Sequence, residues 1–161
     1  METTREHAKE NIHKNLVHNL QSLLKKNYDA EKGFKKAVED AKSKHLKEYL
    51  KHQAVKRNRF ATEIDNELRS LNEKPKESGS AAGTLHRTWM DIKSAVSGNN
   101  DQAVLEECIR GDKASVEEYE ETLQKNNFPP KISSVLNNQL SDIKSTLSKV
   151  KTFEDLAEEW K

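Results

Sequence analysis

The chain has 161 residues, of which 33% are hydrophobic and 34% charged, with a mean hydropathy of −1.00. This length fits one domain spanning residues 1–161, and no stretch approaches the ~18 consecutive apolar residues of a membrane-spanning helix. The single cysteine, Cys108, excludes an intramolecular disulfide, and the charged N-terminus lacks the apolar core of a secretory signal. We therefore expect a cytoplasmic protein without a membrane partner.

Apolar residues recur at helical spacing along nearly the whole chain. In the first two segments the buried positions alternate steps of four and three residues, which is typical of helices packed side by side. These positions are Leu16, Leu20, Leu23, Asn27, Ala30, Phe34, Ala37 and Ala41, followed by Leu46, Leu50, Gln53, Arg57, Phe60, Ile64, Glu67 and Leu71. Pro75 and Gly79 then mark a loop, because both residues break helices.

Three further helical segments and a tail follow this loop. Ser80 is a candidate N-cap for the third segment, an asparagine of the Gly98-Asn99-Asn100 turn can cap the fourth, and Pro130 suits the first turn of the fifth. Thr152 and Asp155 resemble a capping box for a short tail. The apolar positions are Ala82, Leu85, Trp89, Ile92 and Val96, then Leu105, Ile109, Val116, Tyr119 and Leu123, and then Ile132, Leu136, Leu140, Ile143, Leu147 and Val150.

No segment alternates with the two-residue period of a strand, so we predict an all-α fold. The architecture is an antiparallel four-helix bundle with core helices over about 10–126, a fifth helix over about 130–150 and a helical tail over 152–160. The turns near 42–45 and 97–101 are short, which makes the helices flanking each turn antiparallel neighbours. Across the first turn, positions whose numbers add to about 87 then share a level.

Several polar residues interrupt the apolar positions and are predicted to point inward. The antiparallel levels bring Glu67, His86 and Asp112 to one height, and Glu63 and Glu107 to another about one turn away. Carboxylates and an imidazole inside a bundle are the ligands of a divalent-metal site holding Fe or Mn. The alternative, which we favour, is a structural polar network in which His86 bridges Glu67 and Asp112, so that no buried charge lacks a partner.

The near-neutral net charge of +1 hides an asymmetry. Residues 1–75 carry a net charge of +5 and residues 76–161 carry −4. From Lys42 to Arg59 there are seven bases against Glu48, while the stretch 101–121 holds eight acids against two bases. A basic stretch can bind nucleic acid, but the overall balance is far from that of typical nucleic-acid binders. We therefore favour two solvated faces of neighbouring helices that complement each other, and we consider a nucleic-acid partner unlikely.

The fifth segment has an apolar face that a closed four-helix core does not need. Such a face caps a bundle or pairs with its copy in a second chain, and we expect a homo-oligomer, in the first place a dimer. Cys108 lies beside Glu106 and Glu107, whose negative charge disfavours a reactive thiolate, so we predict a half-buried structural cysteine.

Two segments resemble a known family. The runs Gly79–Trp89, containing His-Arg-Thr-Trp, and Leu105–Asp112, containing Leu-Glu-Glu-Cys-Ile-Arg-Gly-Asp, together with Tyr119, are similar to a bacterial four-helix-bundle family of unknown function. That family is grouped with the ferritin-like superfamily, and the resemblance covers residues from about 12 to 150. It implies the fold, a bacterial source and an intracellular setting, and it supplies no activity. Ferritin-like neighbours suggest di-iron chemistry, but this chain lacks their double Glu-x-x-His pattern.

The sequence thus predicts a ferritin-like bundle without an assigned activity or cofactor, leaning toward a non-catalytic protein of assembly or stress response. The alternative is a protein that binds divalent metal, di-iron or manganese, through the inward carboxylates and His86. No small-molecule substrate is indicated.

Overall fold

The computed structural model describes residues 4–75, 100–152 and 155–156, and within these ranges the chain is helical without any strand. The helices are α1 (Thr4–Asp40), α2 (Lys44–Ser70), α3 (Asp101–Lys125) and α4 (Pro130–Lys149). The all-α prediction is confirmed, and the segments expected near 10–41, 46–71, 105–123 and 130–150 each form a helix. The third predicted segment and most of the tail lie outside the described residues. None of the described helices combines the length and apolarity that crossing a membrane requires.

The helix ends follow the local signals in the sequence. Ser43 caps α2, because its hydroxyl accepts a hydrogen bond from the Leu46 amide at 3.4 Å. Asn100 caps α3 through the Ala103 amide at 3.2 Å, and Pro130 occupies the first turn of α4. Each of these residues satisfies or removes an amide that a helix terminus would otherwise leave without a partner.

The ion pairs and hydrogen bonds between helices give their directions. α2 returns antiparallel to α1: Asn27 meets Arg57 and His13 meets Glu73, both within about three residues of the predicted level. α3 is antiparallel to α1 and parallel to α2, and α4 is antiparallel to both α2 and α3. Since α1 and α4 each pack against α2 and α3, the helices α2 and α3 lie across the bundle from one another.

The apolar core divides into an upper and a lower cluster. The upper cluster lies where α1 ends and α2 and α3 begin, and it contains Phe34, Leu46, Tyr49 and Leu105. The lower cluster lies at the other end and contains the apolar face of α4. Members of that face are Ile132, Leu136, Leu140 and Ile143, all of which are buried. The face is therefore covered within the chain, and the dimer stays a prediction that needs a different surface.

Candidate functional site

The most unusual feature of the interior is an ion pair buried between α2 and α3. Nη2 of Arg57 donates to Oδ1 of Asp112 at 2.7 Å, and each side chain is only 2% exposed. The same guanidinium donates to the Ser115 hydroxyl at 2.9 Å and, through Nη1, to Oδ1 of Asn27 on α1 at 3.0 Å. Burying a charge is costly unless it is paired and hydrogen-bonded, and Arg57 is both.

Further hydrogen bonds carry this arrangement from the ion pair to the fourth helix. Nδ2 of Asn27 donates to the Tyr119 hydroxyl at 2.9 Å, and that hydroxyl donates to Oε1 of Gln139 at 2.6 Å. Nε2 of Gln139 then donates to Oε1 of Glu63 at 3.0 Å and to the Phe60 carbonyl at 3.2 Å. We call the connected side chains the polar network: Asn27, Arg57, Glu63, Asp112, Ser115, Tyr119 and Gln139. It joins all four described helices.

Burial shifts the titration of several interior groups. Desolvation raises the pKa of Asp112 above its ordinary value of 3.8, and the Arg57 guanidinium partly offsets that shift. Burial also raises the pKa of the Tyr119 hydroxyl to about 12. The pKa values of Tyr49 and Cys108 lie well above their ordinary values, first because both are desolvated and second because the Asp112 charge is close. These hydroxyl and thiol groups are therefore protonated at neutral pH. Cys108 is fully buried rather than half-buried, as befits a structural cysteine.

Two buried polar atoms have no hydrogen-bond partner in the part of the chain that the structure describes. They are Oδ2 of Asp112 and Nε2 of Gln53, which lies one helical turn before Arg57 on α2. An unsatisfied buried acceptor or donor costs about 1–3 kcal/mol. These two atoms therefore mark where the hydrogen bonding of the interior is least complete.

The structure places the other predicted ligands at separate positions. Glu67 is buried near the end of α2, where its carboxylate is 3.7 Å from Nζ of Lys131. Glu107 is half-buried on α3 and pairs with Arg110 at 2.7 Å. Glu63 belongs to the polar network through Gln139.

Asp112 and Glu67 do not share a level. Asp112 is level with Arg57, and Glu67 lies ten residues further along α2, about 15 Å along the helix axis. The offset between α2 and α3 thus differs from the one assumed across residues 71–100. Among the described residues, no group of three or more His, Cys, Asp and Glu side chains is arranged to hold a metal ion. His86 lies outside these residues, so the five-residue metal site stays a prediction.

The basic and acidic stretches also occupy different places from those expected. In the described ranges the only recorded ion pair between them is Arg57–Asp112. Lys56 and Arg59 instead bind Asp142 on α4, at 2.7 and 3.0 Å. The charged side chains of the two stretches thus pair in the interior, Asp101 also accepts from the backbone amides of Lys42 and Ser43, and the exposed faces lie on helices that are opposite rather than neighbouring.

Two surface clefts flank the N-terminal half of α1. One, of about 310 Å³, is lined by Ile12, Asn15, Leu16 and the end of α3; the other, of about 330 Å³, includes His13, His18 and Glu73. Neither cleft is lined by a member of the polar network. The buried polar groups thus lie apart from both clefts.

Comparison with known families gives a match over most of the chain. A family model described as a domain of unknown function (DUF2383) matches residues 15–125, which is 111 of the 161 residues, and the chain belongs to this family. No curated protein matches the chain. The matched range includes Asn27, Arg57, Asp112 and Tyr119, whereas Gln139 on α4 lies beyond it.

Proposed function

We propose that this member of the DUF2383 family is a non-catalytic helical bundle that acts by assembly, with further copies of the same chain as its partners. A dimer is the smallest such assembly. A role in stress response belongs to the same proposal, as a setting in which the assembled bundle would act.

The observation that carries the proposal is the polar network. A catalytic carboxylate or hydroxyl has to reach its substrate, whereas Asp112 and Tyr119 lie inside the bundle and are bonded to side chains of neighbouring helices. A network of this kind fixes the register of helices against one another. The interior polar groups are thereby used for folding, and the outer faces of the helices are left for interaction.

The ferritin-like type of bundle, a bacterial source and a cytoplasmic location are finer parts of this proposal. Long helices in antiparallel pairs support the ferritin-like type, since such pairs are the building unit of these bundles. The single cysteine, buried as a thiol, suits a reducing compartment.

Sedimentation velocity of the full chain over a range of concentrations tests the assembly. We expect species at twice the chain mass of 18.5 kDa or more, increasing with concentration. A single species of 18.5 kDa at every concentration would exclude function by self-assembly.

The second candidate is a divalent-metal protein, favoured by one observation. Oδ2 of Asp112 is a buried carboxylate oxygen without a hydrogen-bond partner among the described residues, and hard cations such as Mn²⁺ prefer oxygen ligands. The sequence places His86 level with Asp112, while Glu63, Glu67 and Glu107 would have to act from other heights.

Anaerobic titration with Fe(II) or Mn(II) tests this second candidate. Binding that is lost in Asp112→Asn and in His86→Ala, and retained in the exposed control Glu106→Gln, would establish it. Equal titration curves for all four proteins would remove it.

A further inference from the structure

We propose that copies of this chain associate head to tail, with a basic face of α2 in one copy seated on an acidic face of α3 in the next. The proposal rests on the assembly function above and names the two surfaces that would carry it. The basic face consists of Lys44, Lys47 and Lys51. The acidic face consists of Glu117, Glu120 and Glu121.

The basic face is charged and open to solvent. Lys44 and Lys51 are exposed and Lys47 is half-buried, and their spacing puts all three on one side of α2. Lys44 and Lys47 form no ion pair within the described ranges, and Lys51 has only Glu48, at 3.7 Å. Val55 continues the same side one turn beyond Lys51 and is 70% exposed, which gives this face an apolar end.

Three other cations of the basic stretch are already occupied, while Lys42 lies in the turn before α2. Arg57 is buried against Asp112, and Lys56 and Arg59 share the Asp142 carboxylate. The positive charge that remains outside is therefore concentrated in the first half of α2. This is a small footprint for a nucleic acid, which requires many phosphate contacts, and it is a sufficient one for an acidic helix.

The acidic face lies in the second half of α3, and its three carboxylates are exposed. Glu117 forms no ion pair with any described residue. Glu120 is 3.0 Å from Lys144, both about half exposed, and Glu121 pairs with Lys125. Exposed pairs of this kind contribute only about 0–1 kcal/mol, so they can be exchanged for contacts with another copy.

One chain cannot bring its own two faces together. The inner sides of α2 and α3 meet at the Arg57–Asp112 pair, so the exposed sides of these helices point away from each other. A second copy has no such restriction. The spacings match for two charges at a time: Lys44 and Lys47 are three residues apart like Glu117 and Glu120, and in a different register Lys47 and Lys51 are four apart like Glu117 and Glu121.

A contact between two different faces leaves one face of each kind free at the ends of every open assembly. Such heterologous contacts generate rings or open chains rather than a closed dimer. They also weaken with salt, since exposed charges are screened within about 8–10 Å at 0.1–0.15 M ionic strength.

Charge-reversal variants of the full chain test the proposal. One variant, Lys44→Glu/Lys47→Glu/Lys51→Glu, makes both faces acidic, and the other, Glu117→Lys/Glu120→Lys/Glu121→Lys, makes both basic. In sedimentation velocity at 50 mM salt we expect the wild type to associate and each variant alone to remain at 18.5 kDa. An equimolar mixture of the two variants should associate again. Raising the salt concentration to 500 mM should lower the weight-average mass of every assembly at least twofold.

A matched control separates face-specific effects from a change in net charge. Lys9→Glu/Lys14→Glu/Lys74→Glu makes the same charge change as the lysine reversal, on exposed lysines at the end of the bundle away from the basic face, and should associate like the wild type. Association of the wild type that is unaffected by both reversals, or a mixture that stays monomeric, would overturn the head-to-tail contact and leave assembly by another surface. A wild type that is monomeric throughout would overturn the assembly function itself.

Discussion

Arg57 and Asp112 form a 2.7 Å ion pair inside the bundle although they lie on helices that are opposite one another. Their side chains therefore span the centre of the bundle rather than a contact between neighbours. Asn27 on α1 and Ser115 on α3 accept further hydrogen bonds from the guanidinium, so the charge is held from two other helices. Breaking one member of such a pair costs more than replacing both, because the survivor is left as a buried, unpaired charge.

Replacing Arg57 by methionine should destabilise the fold strongly. The Asp112 carboxylate would lose its cation, and the expected loss in the free energy of unfolding is about 3–5 kcal/mol. Adding Asp112→Asn to Arg57→Met removes the stranded charge and should recover part of this loss. Urea unfolding of the two single variants and the double variant gives the coupling energy, for which we expect about 1–3 kcal/mol. Additive effects would mean that the two residues do not interact.

Stability should depend on pH through Asp112 in an unusual direction. Burial raises its folded pKa, so the folded chain binds this proton at a pH where the unfolded chain does not. The resulting stabilisation is complete below the unfolded value of 3.8 and is lost as the pH rises through the folded value. Relative to Asp112→Asn, the wild type should therefore become more stable as the pH falls from 7 toward 4.

Exposed carboxylates with lowered pKa values change the pH dependence of stability in the opposite direction. Their contribution cancels when the wild type is compared with Asp112→Asn. A side-chain hydrogen bond from Lys125 lowers the pKa of Glu121, and backbone hydrogen bonds from Lys151 and Thr152 lower that of Asp155. Both proteins contain these groups equally. If the stability difference is constant with pH, or favours the wild type more at pH 7 than at pH 4, Asp112 does not titrate as described.

Tyr119→Phe should cost about 1–3 kcal/mol, although it removes only one oxygen atom. That hydroxyl accepts from Asn27 and donates to Gln139, and without it the buried Oε1 of Gln139 loses this donor. Tyr28→Phe is the matched control, because Tyr28 is half-buried and outside the polar network, and its loss should stay below about 0.5 kcal/mol. Thermal or urea unfolding of both variants decides the point, and equal losses would show that the network contributes nothing specific.

Asp101→Ala should loosen the upper end of the bundle. Its two carboxylate oxygens accept from the Lys42 and Ser43 amides, at 3.1 and 2.7 Å, and tie the start of α3 to the α1–α2 turn. Loss of capping interactions of this kind costs about 0.5–2 kcal/mol, with faster amide hydrogen exchange expected at these two residues. Glu106→Ala, on an exposed position of the same helix, should leave both exchange and stability nearly unchanged. Unaltered exchange at Lys42 and Ser43 in Asp101→Ala would contradict the assignment.

The positions of the helices and the antiparallel pairing of α1 with α2 could be predicted from the sequence for a physical reason. Apolar spacing reports which side of a helix is buried, and the three-residue turn between α1 and α2 fixes their register. Arg57 and Asp112 were identified as inward polar residues on this basis.

The partners of the inward residues could not be predicted in the same way. The level of α3 against α2 depends on the path of the thirty residues 71–100, and spacing within helices does not report that path. An error of ten residues in this offset replaces Glu67 by Arg57 as the residue level with Asp112. Gln139 was missed as well, although a glutamine between Leu136 and Leu140 on an apolar face was the available signal.

Metal content tests most directly whether the inward polar residues hold the helices together or bind a ligand. The measurement is plasma mass spectrometry of untagged protein, purified without chelator after growth with added iron and manganese. We predict clean protein without bound Fe or Mn and no uptake of Fe(II) under anaerobic conditions. Near-stoichiometric metal in the wild type that is lost in Glu67→Ala/Asp112→Ala would contradict a purely structural network and make this a metal-handling protein.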